Sequence, residues 1–315
     1  MNFETILNFI KLFPTKPYEG YIIAFFLLLI GWILRLFFER FSWKTKLKTD
    51  YEFNQRRKIK EKISNSKNPL LKAAEELNYR LWNFNQHIDE NWHSLKKNKW
   101  KSNQNYYLKS FVYRFLVFYY WILEAELSIY HLDSMHADKY DKKYMLYLKT
   151  LKHIIADKDL LQELDYKTND FENHFYKDNI PLYTKYCKNK NGEVIEFSDF
   201  SSKVNKDLKQ IEKVFLFISS IENKATNKNY NIIVSLHLVL MRFLNEFGLD
   251  YQKTSKSKIK KLIKKSYHKI RIKNSFISFL KRNKILNEMK PVLNLMNLGF
   301  CYRILNFNKI KEFEI

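Results

Sequence analysis

Apolar positions recur along this chain in two ways: one nearly unbroken run close to the start, then stripes at spacings of three and four further on. The run carries no charge from Gly20 to Leu34 and continues through Leu36, Phe37 and Phe38, with Arg35 as its one interruption. About 18 to 20 apolar residues, rising about 1.5 Å each, cross a hydrocarbon core of roughly 30 Å. Arg35 sits near the end of the run, where a long side chain reaches the headgroups. Tyr18, Tyr21, Trp32 and Trp43 lie near the two ends, where interfacial rings are favoured. A cleaved export signal needs basic residues at its start, a shorter apolar stretch and a small-residue cleavage site, and this run has none of them. The pattern predicts a transmembrane helix over 18–38 rather than a buried core helix.

Before it, Phe3, Ile6, Leu7 and Ile10 share one helical face up to Pro14, so 1–17 reads as a short interfacial segment. Lys11 and Lys16 there are offset by Glu4 and Glu19. After the run come Arg35, Arg40, Lys44, Lys46, Lys48, Arg56, Arg57, Lys58, Lys60 and Lys62. The positive-inside rule then predicts the N-terminus outside and the bulk of the chain in the cytoplasm, as for a protein of a bacterial inner membrane. The basic stem over 39–67 would face anionic lipid headgroups.

Beyond the stem, Asn68 reads as a helix cap with Pro69 at the first helical position. Leu70, Ala74, Leu77, Leu81, Phe84 and Ile88 then form one apolar face. The segment 106–133 is apolar nearly all round in its middle, which suits the central helix of a bundle. Two further apolar stretches, 111–122 with Arg114 and 232–244 with His237 and Arg242, are too short and too polar for second spans. Two β-prone runs flank Asn191-Gly192, predicting a small hairpin over 183–197. Helices resume after it, and Gly248 marks a C-terminal stop. The expected class is all-α: a transmembrane helix, a helical bundle over 68–250 with that inserted hairpin, and a basic helical region over 251–315.

Composition changes this picture little. The five Gly and five Pro fit a helical chain, and Cys187 and Cys301 form no metal-ligand or disulfide pattern. The formal charge is +23, but only ten of the 56 basic residues are Arg, and the richness in Lys, Asn, Ile, Phe and Tyr is what an AT-rich coding sequence produces. The excess alone therefore does not require a polyanionic partner. Its distribution is more telling, because Tyr251 to Asn287 holds thirteen Lys or Arg and no Asp or Glu. Ile259, Leu262, Ile263, Tyr267 and Ile270 give this segment an apolar face, leaving Lys258, Lys260, Lys261, Lys264, Lys265, Lys269, Arg271 and Lys273 as candidates for binding nucleic acid or anionic lipid. The alternative is that the apolar side packs on the bundle.

NPLLKAAEELNYRLWNF at 68–84, the aromatic helix at 106–133, FSDF at 197–200 and NIIVSLHLVLMRFLNEF at 231–247 resemble an uncharacterised group of bacterial proteins. That group has an N-terminal membrane span followed by a PLLxAAxxLxxRLWN-type helix. The resemblance covers roughly 18–248 and implies architecture without an activity; the basic region after Gly248 departs from it.

Candidate chemistry is sparse. His131, Asp133, His136 and Asp138 lie close to Glu124 and Glu126, as a metal site needs, but His131 and His136 are five apart and so face about 140° away from each other around a helix. Arg80 and Arg114 interrupt apolar faces and would converge on a phosphate or carboxylate, or pair internally with Glu75, Glu76, Glu124 or Glu126. Cys187, among lysines, lacks an identifiable base. No P-loop, GxGxxG, HExxH, GxSxG or EF-hand pattern is present, and no cofactor is expected. The chain reads first as a membrane-anchored interaction or scaffold protein without enzymatic activity, engaging a protein partner or another copy of itself. A nucleic-acid binder using 251–287, in a host-defence setting, is the alternative, and a metal-dependent hydrolase the third reading.

Overall fold

The computed structural model describes residues 17–102, 105–130, 134–167, 173–265 and 270–296. The interfacial segment up to Lys16, His131, Asp133, Tyr267, Lys269 and Cys301 lie outside the described residues. Ten α-helices are described: α1 (Pro17–Gln86), α2 (Tyr106–Tyr130), α3 (Lys139–His153), α4 (Ile180–Thr184), α5 (Phe197–Lys206), α6 (Glu212–Ser219), α7 (Lys228–Phe247), α8 (Lys256–Lys265), α9 (Lys273–Arg282) and α10 (Leu286–Leu295). Packing divides the chain into two compact units, one ending at Arg57 and the other beginning at Lys58.

In the first unit the apolar run is helical and uncovered. Its most apolar 18 residues have a mean hydropathy of 2.4 and none is buried, so this helix is long and apolar enough to cross a membrane. Phe25, Leu28 and Phe37 are all exposed.

The second unit is built from the stripes. Leu70, Ala74, Leu77, Leu81 and Phe84 are buried, as their spacing predicts, and Ile59 and Ile63 extend the same stripe backwards. Pro69 does not start this helix, which runs through it. A mid-helix proline removes the bond to the carbonyl four residues earlier. Here that carbonyl belongs to Asn65, an exposed residue, while Leu70 and Leu71 beyond the proline are held in the core. Core burial on both sides overrides the local stop signal.

Helix α2 is the centre, packing against α3, α4 and α6. Its middle is buried from Phe115 to Tyr120, and its one buried cation, Lys109, donates to the Ser102 carbonyl at 2.9 Å and to Asn205 Oδ1. Helix α7 opens on Asn227, whose Oδ1 accepts from the Tyr230 amide at 2.7 Å, and is buried along almost its whole length. It ends at Gly248, where an added Cβ would lie 2.5 Å from the Leu244 carbonyl. The glycine is needed here for space, since its φ of −78° is ordinary.

The expected hairpin over 183–197 does not form, and no strand occurs among the described residues. Ile180–Thr184 is helical and Lys185–Cys187 a 3-10 turn, with Pro181 in the first turn of α4 and Tyr186 and Cys187 drawn into the core. One isolated bridge, Lys188 to Val194, remains around a turn in which Gly192 alone takes a positive φ (+85°). Asn191 does not take the positive φ that a two-residue hairpin turn needs, and core burial took the first would-be strand.

The basic C-terminal region packs on the bundle in its described part. Ile259, Leu262 and Ile263 of α8 are buried. The Arg271 amide donates to Asn231 Oδ1 of α7 at 3.0 Å, and the Ser275 amide of α9 to Glu163 at 2.7 Å.

Candidate binding cleft

Once α8 buries its apolar face, its lysines are sorted by helical geometry. Lys258, Lys261 and Lys265 fall within about 60° of one another at 3.6 residues per turn, and all three line a cleft of about 690 Å³. Lys260 and Lys264 do not line it. The facing wall is the end of α1, where Glu75, Asn78, Tyr79, Trp82, Asn85 and Gln86 recur at helical spacing beside the apolar stripe. Tyr251, Gln252, Lys253 and Thr254 close one end.

The walls are fixed by hydrogen bonds behind them. His237 is fully buried on α7, and burial pushes its pKa down to about 3, so the ring is neutral at physiological pH. Its Nε2 lies 3.0 Å from Asn78 Oδ1, which can only accept, so the proton sits on Nε2. The same ring meets Trp82 edge to face at 5.6 Å. Gln252 ties the closing loop to α1 by donating to Glu75 Oε2 at 2.9 Å, while its Oε1 accepts from the Leu249 amide. Asn245 holds Thr254 through two hydrogen bonds, one accepted at 2.7 Å and one donated at 2.9 Å. Lys253 pairs with Asp250 at 2.8 Å. Among the described residues, none of Lys256, Lys258, Lys260, Lys261, Lys264 and Lys265 forms an ion pair.

The other candidates fall elsewhere. Arg80 and Arg114 do converge, both on the hydroxyl of Ser110, from Arg80 Nη2 at 2.6 Å and from Arg114 Nη1. Neither meets a carboxylate among the described residues, so the expected internal ion pairs with Glu75, Glu76, Glu124 and Glu126 are replaced. Glu124 faces Lys188 at 3.7 Å and Glu126 pairs with Lys152. Arg80 lies over the Tyr107 ring at 4.5 Å, and burial followed by the nearby Arg114 charge lowers its pKa. Both arginines lie outside the cleft lining.

Asp138 caps α3, accepting from the Asp141 amide at 2.8 Å, and faces Lys60 at 3.3 Å. Those bonds hold its carboxyl below the usual range, the backbone bond most of all. His136 lies in the short turn before it, and no group of three or more metal-ligand residues assembles among the described residues. Burial pushes the Cys187 thiol up, the reverse of what a nucleophile needs. Arg271 is exposed, and Lys273 opens α9.

The α1 wall escaped sequence reading. Tyr79, Trp82 and Gln86 flank a strong apolar stripe and look like its polar margin, and the lysines they face lie more than 170 residues away in the chain. No family model matches the chain, and neither a curated protein nor a solved structure is found similar to it.

Proposed function

We propose that this chain is a single-pass protein of a bacterial inner membrane, N-terminus outside, whose cytoplasmic helical module acts by binding a partner rather than by catalysis. The uncovered apolar belt of α1 carries the anchor, because eleven large apolar side chains from Tyr21 to Leu34 are exposed. In water, each such side chain would forfeit roughly 1.5 to 3 kcal/mol of burial energy. The lysines between Arg35 and Lys62 support the orientation and a contact with anionic lipid. The partner is a protein or a second copy of this chain. Affinity capture from detergent-solubilised membranes, run with and without nuclease, tests this reading: a defined protein recurring in both halves supports it, and recovery of nucleic acid alone overturns it.

A second reading, tethered nucleic-acid binding, is favoured by the unpaired lysine face of α8. It requires an affinity that falls steeply with salt as counterions are released. Filter binding of single-stranded oligonucleotides across a salt series checks this, and a flat series removes it.

A further inference from the structure

The cleft between α1 and α8 sets lysines of the α8 face against aromatic rings that neither reading uses. We infer that it is a binding site for a nucleotide, a ligand joining a phosphate chain to a planar base. A volume of about 690 Å³ lies in the usual range for small-molecule sites.

One wall supplies charge. Lys258, Lys261 and Lys265 span about 10 Å of helix axis at 1.5 Å per residue, which suits a chain of two or three phosphates rather than a single anion. Lysine serves here as a point charge, and burial of Ile259, Leu262 and Ile263 fixes which face of α8 carries the three lysines.

The α1 wall and the 251–254 loop supply flat apolar surface. Tyr79 and Tyr251 are 60% and 68% exposed, and half-buried Trp82 is fixed by His237 behind it. Exposed rings that line an open cleft, rather than a core, are what a base stacks on. Between the two walls, Asn78 has its Oδ1 committed to His237, so its amide N–H groups are what it offers the cleft. Glu75 is the single carboxylate in the lining and is partly engaged by Gln252, leaving acceptor capacity suited to sugar hydroxyls. Lysines alone would fit any polyanion, and rings alone any aromatic; their opposition across one cleft selects a ligand with both parts.

The test is calorimetric titration of the full-length chain in detergent micelles with adenosine triphosphate, adenosine and inorganic tripolyphosphate. Saturable binding of the triphosphate is expected, with adenosine and tripolyphosphate each weaker by about tenfold or more. The variant carrying Lys258→Gln, Lys261→Gln and Lys265→Gln should lose about tenfold or more in affinity with its melting temperature unchanged, whereas Lys260→Gln with Lys264→Gln stays within about twofold. Tripolyphosphate binding as tightly as adenosine triphosphate would reduce the site to a charge patch and overturn the inference. Equal losses in the two lysine variants would do the same, as would binding of a single-stranded oligonucleotide without any of the mononucleotide. Membrane extraction and partner capture read the anchor and scaffold claims separately, so this site fails or stands without them.

Discussion

Phe25 and Phe84 are the same residue on the same helix, yet Phe25 is 63% exposed and Phe84 only 1%. Around Phe84, polar residues alternate with the apolar stripe, and the stripe is covered by α2 and α7 through contacts such as Phe84 to Phe111 at 5.4 Å and Asn78 to His237. Around Phe25 there is no polar face at all, and every side of the helix is apolar and bare. One stretch makes its own apolar solvent by folding. The other has to be given one, and this is why the bilayer enters the account.

The largest effect should come from breaking the bare stretch. Replacing Leu28 and Leu29 by Arg costs about 3 kcal/mol each at a helix centre, so the double variant should leave the membrane fraction on alkaline extraction while its bundle melts normally. Next comes the covered stretch: Phe84→Ala removes a buried ring and should destabilise the bundle by about 3 to 5 kcal/mol, read by urea unfolding in detergent. Phe25→Ala, the same change on the same helix, should leave that unfolding curve within about 0.5 kcal/mol of the parent. Similar losses in both would erase the contrast between the two stretches.

A smaller effect is expected from pH. His237 is depressed in the folded state, to about 3, from an ordinary 6.5. The unfolded chain therefore takes up a proton that the folded chain refuses, and stability is full above pH 6.5 and falls as pH drops from there towards 3. Between pH 7 and pH 5 the loss should be about 2 kcal/mol from this residue. Burial depresses His93, His153 and His174 in the same direction. His237→Gln should flatten the dependence, measured as the difference between unfolding curves at the two pH values. The smallest effect is at the join of the helical stripe: Pro69→Ala restores a helix bond and should stabilise the bundle by roughly 1 kcal/mol.

The apolar stripes were legible because their spacing is a local property, so the long apolar helix, the buried face from Leu70 to Phe84 and the buried α7 all follow from sequence. The signals that misled are the ones that tertiary packing overrides. Pro69 reads as a start yet sits inside α1, and Tyr183 to Cys187 read as a strand yet turn helically into the core. Lys258, Lys261 and Lys265 stand out in the sequence only as members of one basic run, and their separation from Lys260 and Lys264 appears only when the buried face of α8 is known. Asn78, Tyr79 and Trp82 carried no signal, because a cleft wall is defined by what it faces, and that is set by long-range packing. Arg80 and Arg114 read as partners of an anion or of acidic neighbours, yet they meet over the Ser110 hydroxyl, which no spacing rule would single out.

The most direct test of the central claim is protease accessibility in sealed cells and inverted vesicles, using the full chain tagged at either end, after confirming that it resists alkaline extraction. An anchor with its N-terminus outside leaves the C-terminal tag protected in intact cells and cleaved in inverted vesicles, with the N-terminal tag behaving in the opposite way. A chain released into the soluble fraction, or one whose C-terminal tag is cleaved in intact cells, would contradict it.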